Sequence, residues 1–276
     1  MLALVVTVPA GEAELASDAL WALGVAAIEE RELTGTPGTE DHLVELWTSL
    51  GDDAEAVTRA AEAFPARWRW HLVEVDPAVT ETWRAHVVPT WVEQDLVIVP
   101  AWQEVTTPPD VLRVGIDPGA AFGLGDHPTT VLTLRLLRSV MWPGATVLDV
   151  GCGSGVLSVV AARLGAPYVE AIDISSAAVE ATVANAARNG VAGVVAASTR
   201  ALAEVEERFD VVLANLLAPI VVELAADLRR VTAPAGALIV SGVLADRHDH
   251  VVEALAPMRV VETLTREAWA ALLLRH

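Results

Sequence analysis

The segment 147–155, which reads VLDVGCGSG, constrains the fold of this chain more than any other segment. An apolar run is followed by three glycines at alternate positions, and a second apolar run begins directly after them. Glycines let the backbone turn tightly and approach a ligand, and the start of a helix offers free N–H groups to an anionic group. The pattern predicts a strand, a ligand-binding loop and a helix. A glycine turn without a ligand is the alternative.

The glycine spacing separates the classes of nucleotide that such a loop could bind. A dinucleotide fingerprint, G-x-G-x-x-G, needs its third glycine at position 156 or, counted from the next glycine, at position 158. Those positions hold Val156 and Ser158. The sequence therefore disfavours a dinucleotide-dependent oxidoreductase.

The glycine pattern that is present, G-x-G-x-G preceded by Asp149, resembles motif I of the class I methyltransferases. By this resemblance, Gly151 and Gly153 pass the methionine part of S-adenosylmethionine. Asp173 ends the next predicted strand about 20 residues later, where a carboxylate can hydrogen-bond ribose hydroxyls. The resemblance places Ile174 near the adenine.

Short apolar strands alternate with helices around this loop. We predict strands at 146–150, 169–174, 211–215 and 237–241, and helices at 155–164, 176–189 and 218–231. Apolar strands separated by helices indicate a parallel sheet covered on both faces. The last two runs, 258–264 and 269–274, can pair only as a hairpin. The fold class is thus α/β, with a doubly wound, mostly parallel, seven-stranded Rossmann-like sheet of the class I methyltransferase type.

The N-terminal third follows a different pattern. The runs 3–9, 12–23, 26–33, 42–47, 52–63 and 68–75 alternate as strand, helix, strand, strand, helix, strand. This order is that of a small ferredoxin-like α+β domain. We therefore predict an α+β domain at 1–76, a linker at 77–110 and a methyltransferase domain at 111–276.

A second candidate site residue, Asn215, ends the predicted strand 211–215 and precedes LLAP. Ligands of open α/β sheets gather at the carboxyl ends of strands, so Asn215 should face the same crevice as the glycine loop. The segment resembles the N-x-x-x motif of amine methyltransferases. An amide oxygen there can accept the hydrogens of a neutral amine and aim its lone pair. A helix cap is an equally weighted alternative for this asparagine.

Three segments in this order resemble one bacterial family, the methyltransferases of ribosomal protein L11, the stalk-base protein of the large subunit. They are DPGAAFGLGDHPTT at 117–130, VLDVGCGSGVLSVVAARLGA at 147–166 and DVVLANLLAPI at 210–220. The resemblance implies methylation of lysine side chains and of the N-terminal amine, and it implies that the α+β domain at 1–76 is the substrate-recognition domain. It also implies site residues in the first of these segments, 117–130, which we call the first loop. They are Phe122, Gly123, His127 and Thr130. The candidate catalytic residues are Asn215, Thr130 and His127. The candidate cofactor-binding residues are Phe122, Gly123, Thr130, Asp149, Gly151, Gly153, Asp173, Ile174 and Asn215. The chain departs from the family's F-G-T-G at Leu124.

Charge and cysteine content bound the partners and the compartment. A formal charge of −19 disfavours direct nucleic-acid binding and suits a basic protein substrate, here a ribosomal protein. A single cysteine fits the cytoplasm, and neither a membrane span nor a metal-ligand spacing is expected. The alternatives that stay open are a lysine methyltransferase of another protein, such as a flavoprotein subunit, and a non-catalytic S-adenosylmethionine-binding factor.

Overall fold

A computed structural model describes residues 2–22, 25, 28–32, 43–49, 54–62, 64–74, 87–119 and 123–276 of the chain. The chain divides into two compact units, Met1–Val87 and Val88–His276. None of the helices in the described part is long and apolar enough to cross a membrane.

The first unit is a four-stranded sheet with two helices. Its elements are β1 (Leu2–Pro9), α1 (Ala13–Ala22), β2 (Ile28–Glu32), β3 (Leu43–Ser49), α2 (Ala54–Ala61) and β4 (Arg69–Glu74). The strand order is β2-β3-β1-β4, with antiparallel pairing throughout. Alternate residues of β1, namely Leu4, Val6 and Val8, are buried in one cluster with Leu20 of α1. This topology is compatible with a ferredoxin-like domain, which stays a prediction.

The second unit begins with a small three-stranded sheet. Its strands are β5 (Thr90–Glu93), β6 (Leu96–Pro100) and β7 (Leu112–Ile116), and β6 is fully buried. The segment 77–110 was expected to be a linker. Residues 75–86 lie outside the described residues, and 88–110 cluster with the second unit. The division into three segments stays a prediction.

The main sheet has seven strands in the order β10-β9-β8-β11-β12-β14-β13. These strands are β8 (Val147–Val150), β9 (Val169–Ile172), β10 (Val195–Ser198), β11 (Phe209–Asn215), β12 (Thr232–Leu244), β13 (Arg259–Arg266) and β14 (Trp269–Arg275). The strands from β10 to β12 pair in parallel, and β14 is antiparallel to both its neighbours. The predicted fold class and its C-terminal hairpin are confirmed.

Helices cover both faces of this sheet, which explains why its strands are apolar at nearly every position. They are α3 (Pro128–Val140), α4 (Val156–Arg163), α5 (Ser176–Arg188), α6 (Ala218–Val231) and α7 (Asp249–Ala254). In β11, Val211 and Leu213 pack in the cluster with α3 and α4, whereas Val212 and Ala214 pack in the cluster with α6. The parallel strands therefore lie between two cores, and ligand-accessible groups are left at their ends.

Candidate active site

Three of the predicted site residues lie at the carboxyl ends of three adjacent strands. Val150, the last residue of β8, is in register with Ile172 of β9 and with Ala214 of β11. The residues that follow these three in the chain are Gly151, Asp173 and Asn215. Sheet register alone thus brings three segments from distant parts of the sequence to one edge, where ligands of open α/β sheets bind.

The glycine loop adopts a backbone that other residues would strain. Gly151 has a φ of 74° and Gly155 has a φ of 78°. A Cβ at Gly151 would lie 2.4 Å from Leu216 Cδ2, and a Cβ at Gly155 would lie 2.7 Å from Thr182 Oγ1. Both positions therefore favour glycine for conformation, and a side chain at either would have to displace Leu216 or Thr182.

Asp173 fixes the loop with its carboxylate. The Gly153 N–H donates to Asp173 Oδ2 at 3.0 Å, and the Ser175 N–H donates to Oδ1 at 2.9 Å. Each oxygen keeps a further acceptor position, so the partly buried carboxylate can also accept from a ligand. The next side chain, Ile174, is fully exposed, with a relative accessibility of 101%. A polar acceptor and an uncovered apolar surface therefore stand side by side.

Asp149 lies beneath the loop and not in the crevice. Its side chain is fully buried, and Oδ2 accepts from Ser158 Oγ at 2.6 Å and from the Ser158 N–H at 3.1 Å. The pKa of Asp149 is raised to about 6, mainly because burial disfavours the charged carboxylate. The charge of Asp173 also raises this pKa, whereas the hydrogen bonds from Ser158 lower it. Within the described part of the chain, Oδ1 has no hydrogen-bond partner. Asp149 thus anchors the first turn of α4 under the loop, and its predicted contact with the cofactor stays a prediction.

The first loop packs directly on the glycine loop. Ser154 Oγ donates to the Gly123 carbonyl, and Gly123 has a φ of 103°. The neighbouring Gly125 is buried, and a Cβ there would lie 2.8 Å from Ile98 Cγ2. Phe122 lies outside the described residues, so its place in the site stays a prediction.

His127 caps helix α3. Its Nδ1 lies 2.8 Å from Thr129 Oγ1 and accepts the Thr129 N–H at 3.4 Å. Its ring makes an edge contact with Trp269, with 5.1 Å between the ring centroids. Burial lowers the pKa of His127, an effect that the carboxylates of Asp126 and Glu267 partly offset. Burial therefore favours the neutral form of the imidazole.

Thr130 follows in the first turn of α3 and is buried, with 2% of its surface exposed. Its N–H donates to the His127 carbonyl at 3.0 Å. The adjacent Thr129 carbonyl accepts from Ser241 Oγ at 3.4 Å, and Ser241 is in register with Asn215. The start of α3 is thus joined to the strand beside Asn215.

Asn215 is not a helix cap. The N-cap of α6 is Leu217, without a side-chain cap bond. Among the residues that the structure describes, none hydrogen-bonds the partly exposed Asn215 side chain. The Leu216 N–H donates to the Ser241 carbonyl at 3.0 Å, which fixes the backbone directly after Asn215. The amide is therefore held at the strand end and is available to a substrate.

Cys152 in the glycine loop is a packing residue. It is buried, and Thr182 Oγ1 donates to its Sγ at 3.3 Å. Burial raises the pKa of the thiol to about 12, and the carboxylates of Asp149 and Asp173 act in the same direction. Because the thiolate is the reactive form, this side chain is not a nucleophile at neutral pH.

Comparison with known proteins gives the family. The family model for ribosomal protein L11 methyltransferase (PrmA) matches residues 4–276. The chain therefore belongs to the ribosomal protein L11 methyltransferase family. This membership confirms the family and the enzyme class that the sequence motifs predicted.

Individual relatives agree with the family model. The ribosomal protein L11 methyltransferase of Symbiobacterium thermophilum is 42% identical over 212 residues, which are 76% of this chain and 68% of that protein. The one from Geobacter metallireducens is 42% identical over 236 residues, which are 85% of this chain and 77% of that protein. Three further relatives are matched over 62% to 65% of their length. A crystal structure of a ribosomal protein L11 methylase from Lactobacillus delbrueckii subsp. bulgaricus has a TM-score of 0.64 and 33% identity, covering 68% of this chain and 99% of that chain.

Three polar residues of the site were not predicted from the sequence. They are Ser158, which binds Asp149, and Thr182 and Asn185, which lie on α5 and bind the glycine loop. Two features could have suggested Thr182 and Asn185: they lie three positions apart, hence on one face of a helix, and that helix follows Asp173 directly.

Proposed function

We propose that this protein transfers methyl groups from S-adenosylmethionine to amino groups of ribosomal protein L11, at lysine side chains and at the N-terminal amine. The observation that supports this most strongly is the meeting of the glycine loop, Asp173 and Asn215 at one edge of the sheet. Family membership supports the substrate.

The residues at this edge fit the cofactor. The glycine loop presents backbone without side chains at this edge, the Asp173 carboxylate suits ribose hydroxyls, and exposed Ile174 suits an adenine ring. Gly151 and Gly153 would hold the methionine part, with Gly123 and Thr130 of the first loop beside them. When bound, S-adenosylmethionine would supply a methyl group on a sulfonium sulfur: a neutral amine can form a bond to the methyl carbon as the carbon–sulfur bond breaks and the sulfur leaves as a thioether.

Asn215 would orient the amine. A free lysine amine has a pKa of about 10.4, so the site must favour its neutral form. The Asn215 Oδ1 would accept one amine hydrogen, and a neighbouring backbone carbonyl would accept the other, which leaves the lone pair aimed at the methyl carbon. Orientation of this kind contributes several kcal/mol to a transfer reaction.

His127 and Thr130 would shape the site from the start of α3. His127 Nδ1 is engaged in capping the helix, so we assign His127 the role of fixing this helix end beside the substrate. Leu124, in place of the family's threonine, adds an apolar side chain to the same loop. We expect it to affect the rate more than the reaction class.

The charge of the chain supports a basic protein substrate. At −19, the enzyme would attract a basic ribosomal protein and speed their encounter. We assign the first unit to substrate recognition and the reaction to the cytoplasm, where such a substrate is made.

Methyl-labelled S-adenosylmethionine tests this function. After incubation with purified ribosomal protein L11 and this enzyme, acid hydrolysis of the protein should release labelled N-methylated amino acids. Label in no amino acid, although calorimetry shows cofactor binding, would contradict the proposal and leave a non-catalytic binding factor or another protein substrate.

A further inference from the structure

Asn185 uses its whole amide to join two segments of the site. The side chain is fully buried in α5. Its Nδ2 donates to the Ser154 carbonyl at 2.9 Å and to the Asp117 carbonyl at 2.8 Å. Its Oδ1 accepts the Asp117 N–H at 3.0 Å and Arg188 Nη1 at 2.5 Å. Both donors and both acceptor positions of the amide are thus occupied.

Thr182 makes the matching contact on the same face of α5. It is fully buried, its Oγ1 donates to the Gly153 carbonyl at 3.0 Å, and it fills the space beside Gly155. Two successive carbonyls of the glycine loop, at Gly153 and Ser154, are therefore bound by one helix.

These contacts set the direction of a backbone donor. In a trans peptide the N–H points away from the carbonyl of the same unit, so the Gly153 carbonyl, turned toward α5, directs the Ser154 N–H away from that helix. Within the described residues no group accepts a hydrogen bond from this N–H. The Gly155 N–H, in contrast, donates to the Cys152 carbonyl at 2.8 Å.

The Asp117 contacts bring the first loop into the same arrangement. Asp117 follows β7 and begins the segment that reaches Gly123, whose carbonyl accepts from Ser154 Oγ. Ser154 is therefore held from both sides, by Asn185 through its carbonyl and by the first loop through its hydroxyl.

We infer that Thr182 and Asn185 are positioning residues that hold the glycine loop and the first loop in the conformation that binds the cofactor. This rests on the proposed function, because the ligand concerned is S-adenosylmethionine. Loss of either contact would leave a buried carbonyl without its donor and let the loop peptides rotate. Cofactor binding should therefore weaken more than in control variants that lose the same overall stability.

Asn189 provides a matched control for Asn185. It lies one turn later, as the C-cap residue of α5, and makes the same paired contact with Gly115 of β7, at 2.9 Å to its N–H and 2.7 Å to its carbonyl. No contact of Asn189 reaches the glycine loop in the described part of the chain. Asn189→Ala thus removes the contact with Gly115 and a bond to the Asn185 main-chain carbonyl at 2.8 Å, and leaves the Asn185 side chain and the glycine loop in place.

Thr232 provides the control for Thr182. Both threonines are buried and donate to a backbone carbonyl, which for Thr232 is that of Leu228 at 2.7 Å. Thr182 Oγ1 also lies 3.3 Å from Cys152 Sγ, which belongs to the same glycine loop. Thr232 begins β12, at the opposite end of the sheet from the site. Valine has nearly the same shape as threonine, so Thr182→Val and Thr232→Val each remove a hydrogen bond and leave the packing in place.

The test is calorimetric titration of the full chain and the four variants with S-adenosylhomocysteine, together with melting temperatures and the KM for S-adenosylmethionine. We expect Asn185→Ala and Thr182→Val to raise the Kd about tenfold and the KM in proportion, with kcat changed much less. The two controls should keep the wild-type Kd within twofold at similar losses in melting temperature. Should Asn185→Ala fail to fold, the threonine pair decides.

Wild-type affinity in Thr182→Val, or an equal loss in Thr182→Val and Thr232→Val, would overturn the inference. A wild-type chain that binds no S-adenosylhomocysteine would instead overturn the proposed function, so the two failures are distinguishable.

Discussion

Leu216 fills the space that a side chain at Gly151 would need, since a Cβ there would lie 2.4 Å from Leu216 Cδ2. This contact joins the residue after Asn215 to the first glycine of the loop. The segment after β11 and the glycine loop are therefore packed against each other, and a change in one should move the other.

Replacement of Gly151 by alanine tests this contact. Gly151 and Gly190 share a φ of 74°, but nothing lies within 4 Å of a Cβ at Gly190. Both alanine variants pay the left-handed strain of about 1 kcal/mol, and only Gly151→Ala adds a clash. We expect Gly151→Ala to lose at least tenfold in S-adenosylhomocysteine affinity by calorimetry and Gly190→Ala to bind normally. Equal affinities in the two variants would show that the contact between Gly151 and Leu216 does not affect cofactor binding.

Replacement of Asn215 by alanine should separate turnover from cofactor binding. The amide has no helix-capping role, so its loss should leave the fold and the cofactor site nearly unchanged. We expect kcat to fall about 100-fold or more, consistent with a loss of orientation worth several kcal/mol, while the Kd for S-adenosylhomocysteine changes less than threefold. Asn189→Ala is the control for turnover. An Asn215→Ala variant that turns over normally would refute the assigned role.

Replacement of Asp173 by asparagine should weaken cofactor binding. The substitution removes the charge and an acceptor from a group that holds the Gly153 and Ser175 N–H groups. We expect a Kd increase of about tenfold or more, since hydrogen bonds to charged groups are worth about 1.5–3 kcal/mol. Asp210→Asn is the matched control, because Asp210 accepts from the Thr146 N–H and Oγ1, both at 2.9 Å, at the start of β11. A similar Kd in both variants would count against Asp173 as the ribose ligand.

The buried Asp149 should make stability depend on pH. Its folded pKa of about 6 lies above the ordinary value of 3.8. Between these values the folded chain keeps a proton that the unfolded chain has released. The contribution of Asp149 to the free energy of unfolding is therefore highest below pH 3.8 and falls as the pH rises to about 6. The full effect is about 3 kcal/mol.

Urea unfolding of the wild type and of Asp149→Asn at several pH values measures this effect, because the asparagine does not titrate. From pH 5 to pH 8, the stability of the wild type relative to the variant should fall by about 1 to 1.5 kcal/mol. A difference that stays constant over this range would show that Asp149 ionises normally in the fold.

Local patterns were enough to predict the main elements of the second unit. The apolar run of β8 and its glycines, and the start of α6, follow from residues within one segment. The strand β10 was missed because Val195–Ser198 is short and only Val195 is buried, so no apolar run marks it. The strands β5 and β6 lie in the segment 77–110, which the sequence predicts as a linker because the segment contains several prolines.

Candidate site residues that belong to a sequence motif were predicted, whereas residues that only tertiary contacts bring to the site were missed. Asn215 ends a buried strand, which predicts its position at the sheet edge. Asn185 reaches Ser154, 31 residues away, and Asp117, 68 residues away. An asparagine in the middle of a helix looks like a surface residue in the sequence, and only the fold shows that it is buried.

Intact-mass spectrometry of purified ribosomal protein L11, after incubation with this enzyme and S-adenosylmethionine, tests the central claim most directly. We expect mass increments of whole methyl groups, which are absent when Asn215→Ala replaces the wild type. An unchanged mass with the wild-type enzyme, under conditions where calorimetry shows cofactor binding, would contradict it.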